Sequence, residues 1–423
     1  MIILTHTIER MVREFRTGPR GVAGVGVFFI SNGAVFAALL PWYPLMMERL
    51  GLSAWEFGLI VASFAIGAIA SSVLPSRLIA RFRAVPVAVG GTIVLAAAVA
   101  LAGWSGNGFA LAACIFFVGF FDAIVDVAQN VVGIEIQDKS GRSILSSMHA
   151  LWSLGGVVSG AASTAAATAG IDMRFYLAVV GLVCIILVAI GGLLVGDAAM
   201  TAKTNDERDA SDGEGRSRWR FVLVAALPLA VIAICGTTIE DVANNWSAIA
   251  AVQISNVPAA SAGIAFSVII GSQCLGRFSG DFLIQKRGRT WVALLGGILI
   301  VLGGLAIVTA QEPIQLLIGL AAVGYGSATL VPSALGAAAH IPGVSQAAGV
   351  TLVNWIMRIG FLITSPLVGL ITTATSLRWG LSILLLIGTA ALVLASRLSP
   401  NENTPEPDSP DTPERDDTNS PPR

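Results

Sequence analysis

The stretch VPVAVGGTIVLAAAVALAGW, residues 85–104, carries no charged side chain and is long enough to cross the hydrocarbon core of a bilayer as one helix. Similar apolar runs follow one another along most of the chain. They predict an all-α integral membrane protein with about twelve transmembrane helices. The predicted spans are 22–46, 56–79, 85–104, 108–132, 144–170, 175–196, 221–250, 261–283, 290–310, 315–338, 347–373 and 380–397.

The composition indicates a lipid environment. Hydrophobic residues make up 55% of the 423 residues and charged residues only 12%, against about 25% charged residues in an average soluble domain. The net charge of −1 gives no indication of a nucleic-acid partner. The cysteines lie in apolar segments without a CxxC or Cys/His spacing, so we expect buried thiols and no metal site; they are Cys114, Cys184, Cys235 and Cys274.

Basic residues are distributed unevenly between the two sets of loops. If the N-terminus is cytoplasmic, the loops on that side hold most of the lysines and arginines. The opposite loops hold only Arg49, Arg174 and Arg378. The positive-inside rule therefore predicts a multi-pass protein of the plasma membrane, the inner membrane of a bacterium, with both termini cytoplasmic.

A polar linker at the midpoint divides the chain into two predicted halves of six helices each. Two segments echo each other, MHALWSLGG at 148–156 and VNWIMRIGF at 353–361, and they superpose with Gly155 on Gly360. Internal repeats of this kind are typical of transporter folds. The predicted divisions are an N-terminal cytoplasmic segment (1–21), the first half (22–197), a cytoplasmic linker (198–220), the second half (221–398) and a disordered, acidic, proline-rich cytoplasmic tail (399–423).

A loop motif carries a family resemblance. The segment GRFSGDFLIQKRGRTW, residues 276–291, resembles the G-x-L-x-D-R/K-x-G-R signature of the major facilitator superfamily, with Gln285 where the signature has its acid. The equivalent first-half loop, SRLIARFRAV, keeps only Arg81. The resemblance covers about residues 22–397 and implies the superfamily's fold of two pseudo-symmetric halves. It also implies a role in conformational change for Arg81, Gly280, Asp281, Lys286, Gly288 and Arg289.

Within the superfamily, three stretches resemble the fucose-permease-like branch and its poorly characterised bacterial relatives. They are DVAQNVVGIEIQDKSGRSILSSMHALWSLGG (126–156), IEDVANNWSAIAAV (239–252) and VPSALGAAAHIPGV (331–344). Asp126 stands where sugar permeases of that branch carry an essential acid. The acid that those permeases place in helix one is absent, because the best match there is Ala37.

Asp122 and Asp126 are ionisable residues inside the fourth predicted span, where such a group costs about 2.5–3.5 kcal/mol on insertion scales. Their spacing places both on one helical face, and Asn130 extends the polar stripe by one turn. Neighbouring carboxylates repel each other and burial favours their neutral forms, so the pair is a candidate proton-coupling site. The alternative is that these side chains tie neighbouring helices together structurally.

Other polar residues inside spans are candidates for the same site. Glu240 is a third proton-coupling candidate, because it shares a helical face with Asn244 while the adjacent Asp241 points about 100° away. Arg358 is predicted to be the only basic residue well inside a span, where it would bind an anionic solute group or pair with an acid such as Asp126. The solute-binding candidates, each with a helix-packing alternative, are His149, Asn130, Trp152, Asn244, Asn354, Trp355 and Arg358.

No motif of an enzyme or an ATP-driven pump is visible. The sequence contains no Walker loop, no HExxH and no supported Ser/His/Asp grouping, so we expect a proton or other ion gradient, and no cofactor, to supply the energy. The leading hypothesis is a proton-coupled secondary transporter that moves a sugar-like or other small polar metabolite by alternating access, functional as a monomer.

Two other classes remain open from the sequence. One is a proton antiporter that exports drugs or metabolites on the same fold. The fifth predicted helix reads GGVVSGAAS without the Gly-Pro motif usual in drug antiporters, which disfavours that class. The other is a membrane sensor or partner-binding protein that does not transport, for which the acidic tail and the linker are available as binding segments.

Overall fold

The computed structural model describes residues 18–140, 144–196, 216–338, 341 and 346–398. Most of the predicted N-terminal segment, most of the predicted linker and the predicted tail lie outside these residues. Within them, 11 helices are long and apolar enough to cross a membrane, and a bent pair of helices makes a twelfth span. The predicted all-α bundle of about twelve transmembrane helices is therefore confirmed.

The helices are numbered α1 to α12 in chain order. The first half comprises α1 (Pro19–Leu50, with a 3-10 turn at Leu40–Trp42), α2 (Ala54–Ala70 and Leu74–Phe82), α3 (Ala84–Ala102), α4 (Gly108–Ser140), α5 (Leu145–Thr168) and α6 (Met173–Val195). The second half comprises α7 (Arg216–Asn245, continued by Ser247–Ser255), α8 (Gly263–Arg287), α9 (Arg289–Val308), α10 (Pro313–Ser327, continued by Leu330–Ala338), α11 (Gln346–Ala374) and α12 (Leu377–Leu398). Because α7 begins at Arg216, residues 216–220 of the predicted linker are helical.

Helix α2 is not the single continuous span that its hydropathy predicts. Its two segments are bent by 54° relative to each other. Pro75 lies in the first turn of the second segment, where its missing N–H is tolerated but where its ring prevents the preceding helix from running through. The bend directs the second segment onto α3 and α4 of the same half.

Equivalent pairs of helices in the two halves pack closely at equivalent glycines. A Cβ added to Gly119 of α4 would lie 2.0 Å from the carbonyl oxygen of Phe64 on α2. A Cβ added to Gly324 of α10 would lie 2.3 Å from the carbonyl oxygen of Ile269 on α8. The two contacts are related by the same sequence offset that superposes the two echo segments, and both allow the close backbone approach that glycine gives membrane helices. The halves are therefore pseudo-symmetric.

The two halves meet most closely at one end of the bundle. The end that carries the α2–α3 and α8–α9 turns is termed the basic end, and the opposite end the far end. At the far end, a Cβ on Gly58 of α2 would lie 2.4 Å from the carbonyl oxygen of Ser365 on α11. On the other side of the molecule, a Cβ on Gly263 of α8 would lie 2.2 Å from Thr164 Oγ1 on α5. Glycine thus closes both inter-helix seams at the far end.

Candidate functional site

The first-half part of the site is built on α4. Asp122 accepts a hydrogen bond from Asn32 Nδ2 of α1 at 3.1 Å, and Asn32 Oδ1 accepts one from Trp152 Nε1 of α5 at 2.7 Å. This chain joins three helices, so Asp122 and Trp152 are held in place by their own half. Asn32 was not a predicted site residue; its only sequence signal is an amide inside an otherwise apolar run.

Asp126 lies one turn further along the same face of α4 and is exposed although it belongs to a membrane span. Its Oδ1 accepts hydrogen bonds from Asn130 Nδ2 at 3.1 Å and Gln129 Nε2 at 3.4 Å. It also interacts electrostatically with His149 of α5 and with Arg358 of α11, in the other half. Asp126 therefore faces the space between the halves rather than lipid, where an ionised carboxylate would be costly.

His149 lies at the start of α5 and is exposed. Its ring packs edge-on against Phe29 of α1, with the ring centroids 5.2 Å apart. The imidazole thus packs against an apolar ring and has two charged neighbours, Asp126 of α4 and Arg277 of α8. This arrangement leaves ring nitrogens available to a solute or a proton, since imidazole both donates and accepts hydrogen bonds.

The second half contributes an ion pair that reaches across the boundary. Arg277 of α8 donates to Glu240 Oε1 of α7 at 2.5 Å and to Ser153 Oγ of α5 at 3.0 Å. Arg277 lies well inside α8, so the prediction that Arg358 is the only basic residue deep in a span was wrong. The predicted span 261–283 contained Arg277, but the residue was counted with the loop motif of residues 276–291, which overlaps the end of that span.

Glu240 and Asp241 have different surroundings, as expected from adjacent positions on a helix. Glu240 lies half-buried near the inter-half space, whereas Asp241 is only 5% exposed. Asp241 accepts hydrogen bonds from the Ser365 hydroxyl of α11 and from Asn245 Nδ2, the latter at 2.9 Å. Trp246 Nε1 donates to the same Ser365 Oγ at 3.0 Å. Asp241 thus ties α7 to α11 inside the second half.

Arg358 differs from Arg277 in its contacts. Among the residues that the structure describes, it forms no hydrogen bond and no ion pair, and it interacts electrostatically with Asp126. It lines a pocket with Trp355, which is 53% exposed. Asn244 is half-buried on α7. Asn354 belongs to α11, but its side chain lies outside the described part of the chain.

The architecture is matched by comparison with known proteins. The family model of the Major Facilitator Superfamily matches residues 25–281 and 229–422. The chain belongs to the Major Facilitator Superfamily. It is a membrane transporter of this superfamily and not an enzyme. The prediction drawn from the loop motifs is confirmed at the level of the superfamily, and the fucose-permease-like branch stays a prediction.

Two curated relatives of similar length are named as transporters, one of them as an MFS-type transporter. The chain is 26% identical over 371 residues to an uncharacterised MFS-type transporter of Yersinia pestis, with 86% of this chain and 92% of the relative covered. It is 27% identical over 380 residues to an uncharacterised transporter of Sinorhizobium fredii, with 88% and 96% covered.

Solved structures show the same fold at low sequence identity. The nucleoside transporter NupG matches with a TM-score of 0.66 and 14% identity, covering 89% of this chain and 98% of that chain. A bacterial homologue of the human lysosomal transporter Spinster, in an inward-facing and occupied conformation, matches with a TM-score of 0.68 and 14% identity, covering 89% and 96%.

The superfamily loop residues lie at the basic end. Arg83 and Gly288, at the starts of α3 and α9, adopt nearly the same backbone conformation, with φ 71° and ψ 161° against φ 83° and ψ 159°. This region is accessible almost only to glycine, so the first-half turn holds a strained arginine where the second-half turn has the motif glycine.

The side chains of the other loop residues pack locally. Arg81 lies over the ring of Phe82 at 5.4 Å, and Lys286 lies over the ring of Phe282 at 5.8 Å. Arg289 places its guanidinium against the end of α10 beside Gly336. Gly280 allows α8 to approach Thr329 of α10 closely. Asp281 belongs to α8, and its side chain lies outside the described part of the chain.

Proposed function

We propose that this superfamily transporter couples the movement of a small polar metabolite, such as a sugar-like solute, to protons by alternating access. One observation carries the proposal: Asp126 is an exposed carboxylate inside a membrane span and interacts electrostatically with His149 and Arg358 from two other helices. A titratable group in that position can take up a proton from one side and release it to the other.

The proton would act through the charge balance between the halves. Ionised Asp126 attracts Arg358 of the opposite half, and protonation removes this attraction. The amides of Gln129 and Asn130 hold the carboxylate on its own helix in the structure. Proton binding would therefore change how strongly the halves attract each other, which is the effect that a coupling site requires.

The arrangement of the helices supports alternating access. The halves are sealed by glycine contacts at the far end, while the second segment of α2 packs within its own half at the basic end. If the basic end faces the cytoplasm, as the positive-inside rule predicts, this is an inward-facing state. The change to the outward-facing state would require the Arg277–Ser153 hydrogen bond between α8 and α5 to rearrange.

The test is solute-induced proton movement in proteoliposomes of the full-length chain, screened with sugars, organic acids and cationic drugs. We expect Asp126→Asn to reduce gradient-driven accumulation about 100-fold while solute exchange without a gradient persists, because the neutral amide mimics the protonated acid. The matched control is Asp172→Asn at the start of α6, where asparagine still caps the helix.

Each outcome of this test has a distinct meaning. Proton entry together with the solute, lost in Asp126→Asn, supports the proposal. Full gradient-driven accumulation by Asp126→Asn would overturn the assignment of Asp126. Proton release on loading a cationic compound would replace import by the antiporter mechanism on the same fold.

A further inference from the structure

The two arginines that lie deep in the second half, Arg277 and Arg358, differ in their bonded partners. Arg277 is neutralised by Glu240 at 2.5 Å and bonds Ser153 as well. Arg358 is half-buried and, within the described residues, has neither a hydrogen bond nor an ion pair. A guanidinium at membrane depth is retained only where a counter-charge or water reaches it. The guanidinium N–H groups of Arg358 are therefore available to bind an anion.

Asp126 does not bond these N–H groups in the structure. Its Oδ1 is already engaged by Asn130 at 3.1 Å and Gln129 at 3.4 Å, both on α4. The attraction between Asp126 and Arg358 acts at a distance, without a bond. A soluble carboxylate could bond the guanidinium in two places, which a distant acid cannot.

The surroundings of Arg358 specify the rest of the ligand. The Arg358 side chain lines a pocket of about 270 Å³ between α2 and α11, whose surface is almost entirely apolar; the other lining residues are Ile69, Trp355, Ile356, Ile359 and Leu362. A water molecule occupies about 30 Å³ of liquid, so the pocket holds on the order of ten non-hydrogen atoms. Apolar walls around one charged group favour a ligand with one anionic end and an apolar body.

We propose that this pocket is a subsite for a small amphipathic carboxylate, with the carboxylate on Arg358 and its aromatic or aliphatic body against Trp355 and Ile359. The inference rests on the proposed transport function and departs from it in one respect: the solute carries a carboxylate and an apolar body instead of being sugar-like. Charge complementarity selects the anion, and the volume selects a monocarboxylate of about the size of phenylacetate.

The experiment compares three probes of nearly equal size and different charge: phenylacetate, phenylacetamide and 2-phenylethylamine. Binding is measured by calorimetry on the full-length protein in nanodiscs. We expect phenylacetate to bind about ten- to a hundredfold more tightly than the amide, and the amine to bind most weakly, because one charge-assisted bidentate contact separates them.

Two variants assign the effect to the pocket. Arg358→Gln should remove the preference of acid over amide while amide affinity changes less than about twofold. Ile359→Trp, which fills the pocket, should weaken both ligands together. Arg174→Gln, at the far-end surface, is the matched control and should keep the preference. Equal binding of acid and amide by the unaltered protein, or an acid preference that survives in Arg358→Gln, would overturn the proposal.

Lipid is the competing occupant, and the same nanodiscs test it. The acid preference should be equal with zwitterionic lipid and with added phosphatidylglycerol. Its disappearance in phosphatidylglycerol would assign the pocket to a lipid headgroup and overturn the solute subsite. The two proposals fail separately: carboxylate binding without proton movement would remove only the coupling, and proton-coupled transport of neutral solutes alone would remove only the subsite.

Discussion

The far end and the basic end of the bundle treat the boundary between the halves in opposite ways. At the far end the boundary includes two close contacts at glycines: Gly58 packs against the Ser365 carbonyl oxygen, and Gly263 packs against the Thr164 side chain. Towards the basic end it consists of polar groups such as Asp126 and of an apolar pocket at Arg358. Close packing at glycines therefore holds the halves together at the far end, whereas charged side chains dominate the boundary towards the basic end.

This difference indicates how such a chain can move without losing its fold. Glycine contacts give a tight seal whose energy is mainly van der Waals packing, so it can be broken and remade without leaving a buried charge. The charged groups lie where water and solute reach them, so their interactions change with protonation and ligand. The Arg277–Ser153 hydrogen bond joins α8 of one half to α5 of the other.

The largest expected effect comes from adding one methyl group to the far-end seal. Gly58→Ala would place its Cβ 2.4 Å from the Ser365 carbonyl oxygen, so α2 and α11 must separate, at a cost of about 1–3 kcal/mol or more. In a background without the native cysteines, Ser247→Cys, buried at the far end, should then react several-fold faster with a maleimide.

Gly271→Ala is the control for this effect. It lies on α8, where an added Cβ meets nothing within 4 Å, so the labelling rate should stay unchanged. Equal labelling rates in the Gly58→Ala and Gly271→Ala proteins would show that the far-end seal does not depend on close backbone contact.

A smaller effect, on the free energy of unfolding, is expected from disrupting the ion pair between Arg277 and Glu240. Arg277 and Glu240 are 35% and 25% exposed, so Arg277→Gln should lower the free energy of unfolding by about 2 kcal/mol, less than for a fully buried pair. Glu240→Gln should cost a similar amount, and the double variant little more than either, because the two residues form one interaction. If the two single-variant losses in unfolding free energy simply add in the double variant, Arg277 and Glu240 do not stabilise each other, which would contradict the ion pair.

The smallest expected effect compares the two basic-end turns. Arg83 and Gly288 share a backbone region that costs a non-glycine residue about 1–3 kcal/mol. Arg83→Gly should therefore stabilise the protein by about 1 kcal/mol, and Gly288→Ala should destabilise it by a similar amount. Thermal unfolding of both variants checks the signs, and a loss of stability in Arg83→Gly would show that its side-chain interactions outweigh the strain.

Hydropathy was sufficient to predict the helical bundle, because lipid forces every spanning segment to be both long and apolar. The helical period was sufficient to place Asp122 and Asp126 on one face of α4, since both belong to the same helix. The offset between the echo segments, which pairs Gly155 with Gly360, anticipated the repeated packing of the halves. Each of these inferences needed only local or periodic information.

Partnerships between distant residues could not be predicted in the same way. Asn32 reaches Asp122 and Trp152, which lie about 90 and 120 positions away in the chain, and no local pattern signals such a pairing. Arg277 was counted with the loop motif, although it lay inside the predicted span 261–283, because that motif overlaps the end of α8. The bend in α2 was missed because apolar residues continue through it.

The most direct test of alternating access is a pair of spin-label distances between the halves, measured in acidic and in alkaline buffer with and without solute. One pair, Glu48→Cys and Thr375→Cys, reports the far end; the other, Ser76→Cys and Gln285→Cys, reports the basic end; all four positions are exposed. The account predicts that the far-end distance lengthens as the basic-end distance shortens. Distances that change in the same direction, or do not change under any condition, would contradict it.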